Sequence, residues 1–486
     1  MEPIPWPVDR LVAQLGRWSS SRGPLYLLLA ERIRQLIDTG QLPPRATLPP
    51  DRVLADRLAV GRSTVVAAYD RLRQEHKLER HQGRGTWVAP AALPTGRPGT
   101  ANPLFLNFLE PVDGVLSLAC AAPYGAPPEL AAAYRRALDR LPALGSDDIG
   151  YYPLGHTALR VALAERHTER GVPTTPEQIL VTTGGQQALA LITRLLLTPG
   201  DTVLVQAPTY PGALELFRDA AAIITTVRTT ADDPPLDQWA EALAARPRLA
   251  YLNPTNHNPT GTTMPALARR ALVELAARHG VPLIDDTVLA GLSFGRPPPP
   301  DLAAFAAPGQ VLTVGSLSKS VWGGLRTGWI RAEAGEIAQL ARIKAIHDLG
   351  SAALEQYAAV ELLPSLDMVS GRRGAELVRR HDHLCASLGA ELPEWRFQRA
   401  GGGQCLWVRL PGADAGAFAQ VALRHGVAVL PGAALEAAGG SADRLRIPFT
   451  ASADDISEGV RRLAAAWCAY QRMGAAAPTA VHALVV

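Results

Sequence analysis

The chain of 486 residues carries only three lysines, Lys77, Lys319 and Lys344, and leaves the rest of its basic chemistry to arginine. Lys319 lies in the stretch GSLSKSVWGGLRTGW, Gly315 to Trp329, with a serine on either side and Gly-Gly-Leu-Arg just beyond. Arginine keeps its proton near neutral pH, whereas a desolvated lysine becomes a nucleophilic amine. An amine that must join an aldehyde as an imine has to be a lysine. Taken alone, Lys319 also reads as a surface lysine in a Ser/Gly loop. Its neighbours in the fold decide.

Those neighbours follow from the pattern around it. QILVTT, DTVLVQAP, RLAYLNP, VPLIDD and QVLTVGS are short apolar runs, and several of the stretches between them look helical. This alternation predicts an α/β unit on a mostly parallel, buried sheet. Ligands in such sheets bind where the strands' carboxyl ends meet the loops. The first run is followed by Gly184, Gly185, Gln186 and Gln187 at the start of an apolar helix, and the second by Pro208-Thr209-Tyr210. The third leads to Asn258-Pro259-Thr260-Gly261, the fourth ends in Asp285 and Asp286 followed by Thr287, and the fifth precedes Ser316, Ser318, Lys319 and Arg326. Glycine amides at a helix start, hydroxyls and an arginine suit a phosphate. A carboxylate suits a protonated ring nitrogen, an aromatic ring suits a heterocycle's face, and a lysine suits an aldehyde. Together they suit pyridoxal 5′-phosphate (PLP).

With Tyr152-Pro153 and Gly155, TTGGQQ, PTY, NPTG, SLSK and GLRTGW, this larger unit resembles the fold type I, class I aminotransferases. The resemblance implies Lys319 as the Schiff-base lysine, Asp285 ahead of Asp286 as partner of the pyridine nitrogen, Asn258 on the ring hydroxyl and Tyr210 stacked on the ring. Gly185, Gln186, Ser316, Ser318 and Arg326 would surround the phosphate. Arg446, in DRLRIPF, would grip a substrate or effector carboxylate. One departure stands out: no tyrosine follows the strand-end aspartates, where the family commonly has one on the ring hydroxyl. Thr287 is the weak substitute.

The first ninety residues differ in kind. They hold 14 Arg and Lys against 9 Asp and Glu, a surplus that points to nucleic acid, while the remainder is slightly acidic. Leu25, Leu28, Leu29, Ile33 and Ile37 line one helical face, with Gly40 placed to end the helix. The pattern then predicts a short helix over about 51–58, a tight turn at Val60-Gly61, and a second helix over about 63–75. A hairpin of Leu78–Gln82 and Thr86–Ala89 around the basic tip Gly-Arg-Gly follows. TLPPDRVLADRLAVGRSTVVAAYDRL followed by GRGTWV resembles the GntR-type winged helix-turn-helix. Gly61 stands where serine is usual, and His76 where a glycine often follows the recognition helix. The resemblance implies DNA contacts by Arg52, Arg62, Ser63 and Thr64, with Arg84 reaching toward the minor groove.

The expected fold class is therefore multi-domain: an N-terminal winged helix-turn-helix and a C-terminal α/β PLP-dependent transferase fold (fold type I). The expected boundaries are an N-terminal extension over 1–22, the winged domain over 23–90, a Pro/Gly-rich linker over 91–112 and the PLP-binding domain over 113–486. This arrangement is similar to the MocR (GabR-like) transcription regulators. It implies a homodimer on double-stranded DNA, often in the regulator's own promoter region, that senses PLP or an amino compound through aldimine formation. An active aminotransferase with an accessory DNA-binding domain remains the alternative. No long apolar run, no signal-peptide layout, and four scattered cysteines without metal spacing point to a cytoplasmic protein with no membrane or metal partner.

Overall fold

The computed structural model describes residues 4–19, 23–81, 85–89, 114–141, 148–229, 235–295 and 297–475. The linker region and the wing tip with Arg84 lie outside them. The N-terminal unit contains helices α1 (Val8–Leu15), α2 (Leu25–Asp38), α3 (Asp51–Leu58) and α4 (Arg62–Gln74). Its sheet joins β1 (Ile4–Pro5), β2 (Ala46–Leu48), β3 (Leu78–His81) and β4 (Gly85–Val88) in the order β1-β2-β4-β3. Leu29, Ile33 and Ile37 of α2 are buried with Leu54, Leu58, Val65 and Leu72 of the helix pair, as their spacing requires. The residues read as a mere extension contribute as well: Leu11, Leu15 and Trp18 enter the same core, and β1 pairs with β2. Ala59 ends α3 in the left-handed conformation (φ 48°), and the buried Tyr69 hydroxyl donates to the Pro49 carbonyl at 3.0 Å, fixing α4 against the start of α3.

The larger unit is built on seven strands: β6 (Ile179–Thr182), β7 (Thr202–Ala207), β8 (Ile223–Arg228), β9 (Leu249–Leu252), β10 (Leu283–Asp286), β11 (Val311–Ser316) and β12 (Gly328–Arg331). Their order is β6-β12-β11-β10-β9-β7-β8, and β12 alone runs antiparallel to its neighbours. Both faces are covered. Val203, Val205, Tyr251, Ile284, Leu312 and Val314 pack against the helices Gly185–Leu196, Pro211–Asp219 and Ala334–Asp348. The alternate residues Leu204, Ala250, Leu252, Leu283 and Val311 pack against Leu236–Ala244 and Ala266–His279. That is why these strands read as unbroken apolar runs rather than alternating ones.

A second, smaller sheet joins β5 (Leu116–Leu118), β13 (Arg396–Phe397), β14 (Cys405–Arg409), β15 (Val427–Pro431) and β16 (Arg444–Pro448) in the order β13-β14-β16-β15-β5. It packs with the helices Leu366–Glu391, Ala415–Arg424 and Ala453–Ala475 around Trp395, Phe418 and Trp467. The winged unit rests on this part of the molecule. Arg57 Nη1 bonds Asp414 Oδ2 at 2.8 Å, and Arg424 Nη2 donates to the Ala59 carbonyl at 2.7 Å, tying the end of α3 to the helix Ala415–Arg424.

Candidate cofactor cavity and DNA-reading face

The strand ends β6, β7, β9, β10 and β11 open into one cavity of about 570 Å³, roofed by Ala119–Ala122 and by Cys405 and Arg446 of the smaller sheet. Gly185, Gln186, Tyr210, Asn258, Ser316, Ser318, Lys319, Arg326 and Arg446 all line it, so these residues read from the sequence meet in one place. Lys319 Nζ donates to the Ala121 carbonyl at 2.7 Å, and burial lowers its pKa, favouring the neutral amine.

Two expectations fail here. Asp285 does not face the cavity; Asp286 does. Successive strand residues point to opposite faces of a sheet. Ile284 and Asp286 share the face of Tyr251 and Val314, while Leu283 and Asp285 share the other. Asp285 Oδ2 instead accepts from the Leu302 amide at 2.8 Å. Burial raises its pKa, and the nearby Asp301 adds to the shift. Asp286 Oδ2 accepts from the Tyr251 hydroxyl at 2.6 Å and its Oδ1 from the Val288 amide at 3.1 Å. Burial raises the Asp286 pKa, against which both hydrogen bonds and Lys319 act. Thr287 is the second correction. Its hydroxyl donates to the Val314 carbonyl at 2.9 Å, and it lines a small separate cavity, so Val288 and Leu289 present only apolar surface where a ring-hydroxyl partner was expected.

Gly185 begins a twelve-residue helix whose amino end meets the cavity beside Ser316, Ser318 and Arg326. A Cβ on Gly184, whose φ is 131°, would come within 3.2 Å of Arg326 Nη2, so the bare backbone lets the guanidinium lie across the helix start. Ser316 Oγ lies 3.0 Å from Ser318 Oγ and accepts from the Ser318 amide at 3.2 Å. These are the donors a phosphate needs. Gln186 is already committed: its Oε1 accepts from the Tyr210 hydroxyl at 3.0 Å and its Nε2 donates to the Gly212 carbonyl at 3.1 Å. It therefore positions the tyrosine. A Cβ on Gly212 would lie 2.7 Å from the Tyr210 ring, so that ring has room only because residue 212 is glycine.

Asn258 Oδ1 accepts from Arg446 Nη1 at 3.4 Å, and Arg446 Nη2 donates to the Ala119 carbonyl at 2.6 Å. Arg446 Nε is buried without a hydrogen-bond partner among the described residues. The guanidinium thus retains a donor for an incoming anion. Sequence reasoning missed Tyr251 and Asn253, which brace the site. Asn253 Nδ2 donates to the Asp286 carbonyl at 2.7 Å, and its Oδ1 accepts from the Asn258 amide at 2.8 Å. Two polar-tipped side chains closing the run RLAYLN were the available signal.

In the winged unit Arg52, Arg62 and Ser63 are exposed and Thr64 is half-buried. Arg62 Nε pairs with Asp51 Oδ2 at 2.7 Å, which holds the Asp51 carboxyl below its ordinary pKa. Gly61 caps α4 without a side-chain bond, and His76 takes up a left-handed φ of 55° in the position where glycine was expected.

The pattern of the class I and II aminotransferases matches residues 120–463 of the chain. The chain belongs to that family. The pattern of the bacterial gntR-family regulatory proteins matches residues 25–88, so the protein is a GntR-type regulator fused to an aminotransferase-like domain. The uncharacterized HTH-type transcriptional regulator YisV of Bacillus subtilis (strain 168) is 29% identical over 488 residues, spanning 93% of this chain and 98% of the relative. The probable rhizopine catabolism regulatory protein MocR of Rhizobium meliloti is 30% identical, over 63% of this chain and 65% of the relative. The structure of LysN, an alpha-aminoadipate aminotransferase from Thermus thermophilus complexed with N-(5′-phosphopyridoxyl)-L-leucine, superposes with a TM-score of 0.68 at 32% identity. It covers 74% of this chain and 94% of that one. PLP is accordingly the cofactor of this GntR–aminotransferase fusion, and the donor set around Lys319 fits it. No helix among the described residues is long and apolar enough to cross a membrane.

Proposed function

We propose that this fusion is a cytoplasmic transcription regulator that binds double-stranded DNA as a homodimer, its own promoter included, and answers to PLP together with a small amino compound. The observation that carries this reading is the placement of Arg446. It lies on β16 of the smaller sheet, and the helix Ala415–Arg424 of that same part of the molecule holds α3 of the DNA-binding unit. A ligand that draws Arg446 inward therefore acts on the support of the DNA-reading helices.

PLP supplies an aldehyde for an amine and a ring that withdraws electrons. Lys319 offers the neutral amine that burial favours. Asp286, steadied by Tyr251, would hold the ring-nitrogen proton. Asn258 would hold the ring hydroxyl and Tyr210 would lie against the ring. The Gly185 amide, Ser316, Ser318 and Arg326 would take the phosphate, and Arg446 would take an effector carboxylate through its Nε, unpartnered among the described residues. Arg52, Arg62, Ser63 and Thr64 face DNA. The exposed Ile149, Tyr151 and Leu349, on the segments that meet at Tyr152 and Gly350, offer an apolar surface for a second copy. With Val288 and Leu289 bounding the cavity after Asp286, the site is better equipped to hold an amine than to turn it over.

Binding of the purified protein to its own upstream DNA, with and without PLP and with Lys319→Ala as control, tests the reading. A specific complex that changes with PLP in the wild type only is expected. DNA binding indifferent to PLP and to amino acids, beside rapid multiple turnover of an amino donor with a 2-oxo acid, would reverse it in favour of an aminotransferase.

A further inference from the structure

Behind the turn that carries Asn258 lies a second cleft, of about 510 Å³, between strand β8 at the edge of the large sheet and strands β13, β14 and β16 of the smaller one. Four arginines line it: Arg228 from β8, Arg396, Arg409 and Arg444. Arg409 Nε is paired with Asp443 Oδ2 at 2.6 Å, and Arg444 stands 3.8 Å from the same carboxylate. Neither Arg228 nor Arg396 forms a salt bridge among the described residues, though Arg228 acts electrostatically on Glu436. The single acid in the lining is Glu436, which is buried. Its Oε1 accepts from the Ser441 hydroxyl and its Oε2 has no partner among the described residues; burial raises its pKa, against which the Ser441 bond, Arg228 and Arg444 act.

Four guanidinium groups in one cleft, set against one carboxyl group in its described lining, make a site for a compact anion of more than one charge. Trp407 and Phe397 provide an aromatic wall beside them, and the hydroxyls of Thr260 and Thr262 form part of the lining. We propose that this cleft binds a phosphate monoester that also bears a planar ring, with the phosphate between Arg228 and Arg396 and the ring against Trp407. The site is separate from the cofactor cavity but shares its framework. The Thr260 hydroxyl is hydrogen-bonded to His257 Nδ1 at 2.9 Å, and His257 lines the cofactor cavity. On β14 and β16, Cys405 and Arg446 face that cavity while Trp407, Arg409 and Arg444 face the cleft. A ligand here ties the large sheet to the smaller one.

The test uses the full-length protein carrying one PLP per chain and freed of excess PLP by gel filtration, so that the cofactor's own phosphate cradle is filled while the cleft is left open, and adenosine 5′-monophosphate as the probe in equilibrium dialysis. Saturable binding at one site per chain is expected, displaced by inorganic phosphate. Arg228→Ala and Arg396→Ala should each weaken it about tenfold or more, the low end for losing a charge-assisted hydrogen bond. Arg409→Ala, whose charge Asp443 already engages, should change it little. Unaltered visible absorbance of bound PLP certifies that each variant is folded. Absence of saturable binding overturns the proposal. So does binding that phosphate fails to displace, or binding lost in Arg326→Ala but kept in Arg228→Ala, which would place the nucleotide in the cofactor cavity.

Discussion

Exchanging one carboxylate for an amide at positions 285 and 286 separates the two faces of β10. Asp286 lines the cofactor cavity and is held by Tyr251 at 2.6 Å and Val288 at 3.1 Å, whereas Asp285 lies on the opposite face against Leu302. Breaking a buried ion pair by removing one partner costs about 3–5 kcal/mol. In Asp286→Asn that loss falls on PLP affinity, roughly a hundredfold to several thousandfold at 1.4 kcal/mol per tenfold. An amide retains one acceptor for the Val288 and Tyr251 donors, so folding stability should fall by only about 1 kcal/mol. Asp285→Asn keeps the bond from the Leu302 amide and resembles the neutral acid that burial favours, so PLP affinity should not change. Titration of the apo protein with PLP, followed by visible absorbance, measures both variants. Weakened binding in Asp285→Asn with normal binding in Asp286→Asn would refute the assignment of faces.

Arg446→Ala should weaken a carboxylate-bearing amino compound by about a hundredfold, the loss typical of truncating one side of a buried charge pair, and leave a simple amine unaffected; competition titrations compare the two. Gly212→Ala would place a methyl group 2.7 Å from the Tyr210 ring and should cost about 1–3 kcal/mol through overpacking, measured as lost PLP affinity. Asp51→Asn releases Arg62 from its ion pair and should raise DNA affinity, steepening the plot of log K against log salt by about 0.9 for one added phosphate contact. Burial pushes the pKa values of His167 and His257 down to about 3. The unfolded chain takes up these protons near pH 6.5, so the stability they contribute is whole above that pH and is lost as pH falls toward 3. Denaturant titrations at pH 7 and 5 should differ by about 2 kcal/mol for each of the two.

Much of this was legible because local chemistry and local geometry agree. The short helix expected over 51–58 is found at Asp51–Leu58, and the one expected over 63–75 at Arg62–Gln74. Residues that follow strands converge because parallel strands share an end, which is how Gly185, Tyr210, Asn258 and Lys319 could be grouped before any fold was known. What escaped is of a different kind. A strand buried on both faces carries no polar alternation, so VPLIDD gives no sign of which aspartate faces inward. Thr287 turned out to bond its neighbouring strand, a choice between backbone and ligand that residue type does not reveal. The smaller sheet draws β5 and β14 from distant parts of the chain, so Cys120 and Cys405 meet in one cavity with no signal in their spacing. Arg228 and Arg396 were likewise invisible as a pair.

The scarcity of lysine has a practical consequence. Lys344 has no exposed side-chain surface and is bonded to Asp348 by its ammonium group, and Lys77 is paired with Asp38 in the winged unit. Lys319 is thus the one lysine set before a ligand cavity. Reagents that trap a carbonyl on a lysine amine should leave a single dominant mark on this protein, and the mass gained there would name whatever carbonyl compound the molecule carries from the cell. The chain is, in effect, already single-site labelled for its own ligand.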